Sequence, residues 1–160
     1  MTDVTVTNRR ADSSASEDLT KLARHGADIF GYKANLRIDR RLAQLLRLRV
    51  SQINNCSYCL NLHYEAAREA GIPRPVIDTL ARGARPTSTT TPSSPTPRRS
   101  LAVADATVAE DFGARHDALA GHFSHEEILE IIGIVLNMNV WTRLKLAEGA
   151  TPGVAGQATS

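Results

Sequence analysis

The stretch NNCSYCLNLH, residues 54–63, places two cysteines and a histidine at spacings that could support redox or metal chemistry. Cys56 and Cys59 are the only cysteines in the chain, and His63 follows four residues after the second. On an α-helix, at about 100° per residue, the three side chains fall within about 60° of one another. His63 can then reach the Cys59 sulfur as a base or proton donor. The motif would thus supply an activated thiol, a resolving thiol and a proton-transfer group.

Three other interpretations of the motif stay open. A structural disulfide between residues three apart would close a very short loop and restrain little of the chain. A zinc site needs about four ligands, and the motif supplies three. A fourth could come from another histidine, but none has paired spacing with the motif; these are His25, His116, His122 and His125. Finally, cysteine is often simply a small buried side chain, and the histidine would then be a hydrogen-bonded core residue.

The composition is that of an ordinary globular chain. With 160 residues, of which 42% are hydrophobic and 22% charged, one domain with its own core is expected. A net charge of +2 is too small to indicate a nucleic-acid or membrane surface. No signal peptide and no apolar run of about 18 residues is visible. We therefore expect a cytoplasmic protein whose thiols are kept reduced.

Helices are predicted on both sides of the motif. Asn54 and Asn55 are good N-cap residues for a helix over 56–70 that carries the motif, with Cys56 at its first position, where the helix dipole favours a thiolate. The preceding segment, IDRRLAQLLRLRVSQI (38–53), has apolar residues at helical spacing among arginines and predicts an amphipathic helix. The strongest helix, 125–147, is apolar almost all round and should be central to the core.

The remaining elements complete an all-α prediction. Ser14 and Glu17 could form a capping box for a first helix that Gly31 ends, and Ser124 and Glu127 could form another before the last helix. A short helix is expected around 75–82. We predict a compact helical bundle, with a domain over 14–148 and flexible tails at 1–13 and 149–160.

One segment does not fit this pattern. Residues 86–97, PTSTTTPSSPTP, contain four prolines and no apolar residue, which predicts a disordered loop over 84–98. A back-translation of residues 83–97 with one added base reads WRETDLYDDPELADA, a plausible helix and turn. The segment could therefore be an out-of-frame translation that is restored near Arg98, a hypothesis that the nucleotide sequence would test.

The sequence around the motif resembles a known superfamily. LLRLRVSQINNCSYCLNLHYEAAREAGIP (45–73) is similar to the core of the alkylhydroperoxidase D and carboxymuconolactone decarboxylase superfamily, and 128–147 resembles its last long helix. The likeness covers roughly 20–83 and 99–147. It implies an all-helical fold and a homo-oligomer, often a trimer or a multiple of one. We expect no cofactor and no metal.

The resemblance also implies roles for the site residues. In members with CxxCxxxH the second cysteine attacks a peroxide, the first resolves the sulfenic acid and the histidine relays protons. By position these are Cys59, Cys56 and His63. Such members carry a glutamate twelve residues before the first cysteine, where this chain has Gln44. Because an amide cannot accept a proton at neutral pH, we expect slower turnover.

Two classes of function follow. One is an alkylhydroperoxidase-like enzyme, a thiol-dependent hydroperoxide reductase with peroxiredoxin-type antioxidant activity, recharged by a dithiol from a lipoyl-bearing or thioredoxin-like protein. The other is a redox-sensing or thiol-exchange module with weak turnover. A lyase of the carboxymuconolactone decarboxylase type is a third alternative. It is less favoured because this chain has the cysteine pair, which members of the decarboxylase branch lack.

Overall fold

In the computed structural model, residues 11–80 and 112–152 are described, and their regular elements are all helical. A short 3₁₀ turn at Ser13–Ala15 precedes the first helix. The α-helices are α1 (Glu17–Phe30), α2 (Arg40–Ile53), α3 (Ser57–Glu69), α4 (Arg74–Leu80), α5 (Phe112–Ala120) and α6 (His125–Glu148). The all-α prediction is confirmed. No helix in the described ranges is both long and apolar enough to cross a bilayer. The predicted loop at 84–98, the proposed frame shift and most of both predicted tails lie outside these ranges.

The helix caps agree in part with the sequence patterns. The capping box of Ser124 and Glu127 is formed: the serine hydroxyl accepts from the Glu127 N–H, and the glutamate accepts from the Ser124 N–H. The box predicted for Ser14 is wrong, because the side chain of Ser16 caps α1 by accepting from the Leu19 N–H. Ser14 lies instead in the 3₁₀ turn, two residues before the cap position of α1.

Helix α2 lies between two hydrophobic clusters. On one side Leu42 and Leu46 pack with Ile131 and Ile134 of α6. On the other side its leucines pack with residues of α3, α4 and the turn between them; this cluster comprises Leu45, Leu48, Ala67, Ile72, Ile77 and Leu80. Because both faces of α2 are covered, two of its polar residues, Gln44 and Arg47, are buried along with the leucines. The amphipathic pattern alone did not indicate this.

The first helix ends where α6 passes closest to it. Phe30 lies against Gly133, at which a Cβ atom would sit 2.3 Å from the phenylalanine ring. Gly31 ends α1 as predicted, its N–H donating to the Ala27 carbonyl at 2.8 Å. The turn that follows α1 therefore lies near α6, and its Tyr32 ring contacts Arg47 of α2.

Hydrogen bonds hold the segments just before and just after α2 against α6. Before α2, the buried carboxylate of Glu130 accepts from the backbone N–H groups of Arg37 and Ile38 at 2.7 and 3.1 Å. After α2, the Asn54 amide donates to Asn139 and Thr142, each at 2.8 Å. The turn that leads into α3 is therefore held against the last helix.

Candidate active site

The two cysteines lie at the start of α3. Asn55 adopts a left-handed backbone conformation with φ of 51°, which asparagine tolerates better than most residues. Cys56, not Asn55, is the N-cap residue, and its Sγ accepts a hydrogen bond from the Cys59 N–H at 3.3 Å. The predicted first-position placement of Cys56 is therefore wrong by one residue. The cap geometry brings both cysteines into the same helical turn, where both are free thiols and buried.

His63 lies one helical turn after Cys59 and is only 4% exposed. Its Nδ1 atom is hydrogen-bonded to the hydroxyl of Tyr32, and the two rings stack with centroids 5.5 Å apart and planes 18° apart. With Nδ1 engaged, Nε2 is the ring atom left to exchange a proton with the thiol or with a bound molecule.

Cys59 and His63 both line a cavity of about 240 Å³. Its wall is mainly apolar and aromatic and includes Tyr58, Met138 and Trp141. Cys56 is not among the lining residues, so Cys59 is the sulfur that a bound molecule would meet. Small apolar molecules match such a volume and lining.

Two cations contribute to the same wall. The Lys145 ammonium lies 2.7 Å from a Glu148 carboxylate oxygen and 5.5 Å from the centre of the Tyr58 ring. Arg47 is only 3% exposed, and one guanidinium nitrogen donates to the carbonyls of Phe30 and Gly31 at 2.8 and 3.0 Å. In the described part of the chain no carboxylate pairs with Arg47, and its Nε has no hydrogen-bond partner. Among the described residues, its charge is thus balanced by carbonyl dipoles and the Tyr32 ring but by no acidic side chain.

Burial sets the protonation states of the thiol and the imidazole. Burial, followed by the hydrogen bond and charge of Cys56, raises the pKa of Cys59 to about 12, against an opposing effect of Lys145. Burial and the Arg47 charge lower the pKa of His63 to about 3. At neutral pH the resting site thus holds a protonated thiol and a neutral imidazole. Attack by Cys59 therefore needs a route for its proton.

Gln44, the fourth residue singled out from the sequence, does not join this cluster. It lies in α2 with 1% of its surface exposed, it is not among the cavity-lining residues, and its Oε1 has no hydrogen-bond partner. In the described ranges the hydrogen bond to His63 comes from Tyr32 instead. No hydrogen bond between Gln44 and His63 is found among the described residues, and the role of position 44 in a relay stays a prediction.

The sequence analysis did not single out four polar residues of the site, which are Tyr32, Arg47, Asn137 and Lys145. Tyr32 lies in a turn 31 residues before the histidine it binds. Asn137, on α6, lines the cavity with a buried Oδ1 that has no partner. The available signal was weak: a polar residue within an otherwise apolar helix segment can indicate a site. For zinc, the described residues contain no group of three or more histidine, cysteine or acidic side chains placed to hold a metal ion.

Comparisons with known proteins agree with this architecture. Residues 20–94 match the carboxymuconolactone decarboxylase family. An uncharacterized protein of Bacillus subtilis, YdfG, is 25% identical over 126 residues, which cover 76% of this chain and 83% of that protein.

Solved structures resemble the whole fold. A protein of unknown function from Agrobacterium tumefaciens, for which a role as the antioxidant defence protein AhpD has been suggested, superimposes with a TM-score of 0.72 at 23% identity, covering 91% of this chain and 98% of that one. An uncharacterized peroxidase-related protein from Silicibacter gives 0.70 at 20% identity, covering 83% and 69%. The family match, which includes the cysteine motif, and the shared fold support the resemblance of the chain to the alkylhydroperoxidase D and carboxymuconolactone decarboxylase superfamily.

Proposed function

We propose that the protein is a thiol-dependent hydroperoxide reductase in which Cys59 attacks the peroxide. The single observation that carries this proposal is the position of Cys59 in the cavity wall, with the Cys56 sulfur accepting from its backbone N–H at 3.3 Å. Cys59 lines the cavity, whereas Cys56 does not, and both lie within the same helical turn. A peroxidatic thiol often has its resolving thiol close by, as here.

The steps balance with a dithiol as reductant. The Cys59 thiolate attacks one oxygen of ROOH, so that an S–O bond forms and the O–O bond breaks, giving a sulfenic acid and, after protonation, ROH. Cys56 then attacks the sulfenic sulfur, forming a disulfide and releasing water. Exchange with an external dithiol returns both thiols and leaves that dithiol oxidised. The sum is ROOH plus dithiol giving ROH, water and a disulfide.

A second candidate, a redox sensor or thiol-exchange module with weak turnover, is favoured by one observation. The raised pKa of Cys59 keeps the resting thiol protonated, and thiols in that form react slowly. A sensor would be oxidised once by peroxide and would be reduced too slowly for sustained turnover. An enzyme would continue as long as dithiol remained.

Steady-state turnover distinguishes the two candidates. Purified protein is given tert-butyl hydroperoxide with dihydrolipoamide, and consumption of peroxide is followed beyond one equivalent. We expect many equivalents to be consumed. A single equivalent would favour the sensor, and none, with both cysteines still open to alkylation, would contradict any redox role.

Two serine variants test the roles of the sulfurs. Cys56→Ser should be oxidised once and retain a sulfenic acid that dimedone traps, because the resolving thiol is gone. Cys59→Ser should not react with peroxide above the background of the Cys56→Ser/Cys59→Ser double variant, which has no cysteine. The reverse pattern would exchange the two roles.

We further propose that the protein works as a homo-oligomer, a trimer or a multiple of one. Leu129 and Leu136, seven residues apart and hence on one stripe of α6, are 51% and 60% exposed. Association would remove such apolar surface from water. Light scattering on wild type and on Leu129→Lys/Leu136→Lys tests this, with a smaller mass expected for the variant. A monomeric wild type would contradict the proposal.

A further inference from the structure

Tyr32, the hydrogen-bond partner of His63, is much more exposed than the histidine. His63 is 4% exposed, whereas Tyr32, hydrogen-bonded to its Nδ1, is 48% exposed. The tyrosine ring lies over the imidazole on one side, and the Arg47 guanidinium carbon lies 4.9 Å from the ring centre. Cys59, His63 and Tyr32 line the same cavity, so two hydrogen-bonding groups lead from the thiol toward a half-exposed residue.

This hydrogen bond is compatible with either neutral form of the imidazole. A tyrosine hydroxyl can donate and accept. When Nδ1 carries the proton, it donates to the tyrosine oxygen and Nε2 can accept. When Nε2 carries the proton, the tyrosine hydroxyl donates to Nδ1. The same contact thus serves both ends of a proton transfer.

We propose that Tyr32 is the outer member of a proton relay that carries the Cys59 proton through His63 to solvent, in the place where a carboxylate relay would otherwise act. The inference rests on the proposed peroxide reduction. In the forward step the Cys59 S–H proton moves to Nε2, the Nδ1 proton moves to the Tyr32 oxygen, and the Tyr32 hydroxyl proton moves to water.

The return step completes the cycle. After the O–O bond breaks, Nε2–H protonates the leaving oxygen, Tyr32 returns its proton to Nδ1, and water protonates Tyr32. Both residues end in their starting form. The relay moves one proton out and one proton in per peroxide, and it stores no net charge.

The surrounding charges favour this neutral route. The lowered pKa of His63 disfavours an imidazolium. Burial raises the pKa of Tyr32 to about 12, although Arg47 opposes this, so a tyrosinate is also disfavoured at neutral pH. Because both charged forms are disfavoured, a concerted transfer that forms neither the imidazolium nor the tyrosinate is the favoured route. The other groups with an electrostatic effect at this end of the site are Cys59, Tyr58 and Glu69 on Tyr32, and Lys145 on Cys59.

The test compares Tyr32→Phe with Tyr64→Phe, which removes the same hydroxyl from the residue next to His63, outside the cavity lining. Oxidation by tert-butyl hydroperoxide is followed by the fluorescence of Trp141, the only tryptophan in the chain, which lines the cavity. We expect Tyr32→Phe to slow the first oxidation by about 100-fold, within the usual range for lost acid–base assistance. The rate should recover partly in concentrated imidazole buffer, and Tyr64→Phe should match wild type.

A second readout separates a relay from a packing effect. Alkylation of Cys59 by iodoacetamide expels iodide, which takes up no proton, and at pH 10 hydroxide can remove the thiol proton directly. At that pH Tyr32→Phe should therefore leave the alkylation rate within about threefold of wild type. Loss of both rates together, without rescue by buffer, would show a structural role and overturn the relay.

The relay can also be tested if peroxide turnover itself is absent. Nitrogen-15 spectra, with His63 assigned by His63→Gln, report which ring nitrogen carries the proton. We expect a neutral ring in wild type down to about pH 4, with a hydrogen-bonded Nδ1 whose shift changes in Tyr32→Phe. A His63 that titrates near pH 6.5, or spectra that Tyr32→Phe leaves unchanged, would overturn the relay whatever the outcome of the peroxide assay.

Discussion

The raised pKa of Cys59 has a large and measurable consequence for its reactivity. A change from 9.0 to about 12 corresponds to about 4 kcal/mol against the thiolate, at about 1.4 kcal/mol per pKa unit. At pH 8 the thiolate would then be about one part in 10⁴ of Cys59, against about one part in ten for a cysteine with the ordinary value. Ionisation alone should thus slow alkylation by about 10³-fold.

The sign of each contribution can be tested by substitution. Lys145 lowers the pKa of Cys59 by its charge, so Lys145→Met should raise that pKa further and slow alkylation. Cys56 raises the pKa by its hydrogen bond and charge, so Cys56→Ala should lower it and speed alkylation. Lys21→Met is the matched control, because Lys21 is an exposed lysine on α1, paired with Glu17.

The assay is the rate of iodoacetamide labelling of each cysteine from pH 6 to 10.5, resolved by fragment mass spectrometry. Burial also limits access of the reagent, so the pH dependence is diagnostic and the absolute rate is not. We expect the Cys59 rate to rise tenfold per pH unit with no plateau up to about pH 10.5. A plateau below about pH 9 in wild type, or no difference between Lys145→Met and Lys21→Met, would refute the electrostatic reasoning.

Three further predictions concern residues around the site. Gln44→Glu should speed peroxide reduction and add a pH dependence below neutrality, since a carboxylate can take a proton where an amide cannot; an unchanged rate and pH profile would show that residue 44 has no part in the relay. The folded protein binds the His63 proton only near pH 3, whereas the unfolded chain binds it near pH 6.5. The free energy of unfolding should therefore fall by about 1.4 kcal/mol per pH unit as the pH drops through this window. Urea denaturation of His63→Gln should show a smaller fall than that of wild type. Gly133→Ala should lower the free energy of unfolding by about 1–3 kcal/mol, because its Cβ would lie 2.3 Å from the Phe30 ring. The control is Gly113→Ala, whose Cβ would have nothing within 4 Å and which should not lower the melting temperature in thermal denaturation.

The helices and the cysteine motif could be predicted because their signals are local. The apolar spacing of α2, the capping box before α6 and the i, i+4 relation of Cys59 to His63 each depend on a few neighbouring residues. Because asparagine is the more common cap, the sequence predicts that α3 starts at residue 56, one residue before its observed start at Ser57. The left-handed backbone of Asn55 instead leaves Cys56 to cap the helix.

Tyr32 and Arg47 could not be found in this way, because their roles depend on tertiary packing. Arg47 belongs to a helix whose arginines indicate a solvated face, and it is buried only because both sides of α2 are covered by other helices. Its contacts with the carbonyls at the end of α1 then help to place Tyr32 over His63. No spacing rule in the sequence connects these three residues.

The same packing relates the glutamine at position 44, which lies outside the cavity wall, to the tyrosine at position 32, which lines it. A carboxylate at 44 would lie one helical turn from Arg47, whose charge now has no acidic partner among the described residues. With an amide there, burial of His63 and then the charge of Arg47 make an imidazolium costly. A relay that charges the histidine would then be slow, whereas exchange between its two neutral forms avoids that cost. Tyr32, able to donate and accept on the same atom, is the kind of partner that such an exchange requires.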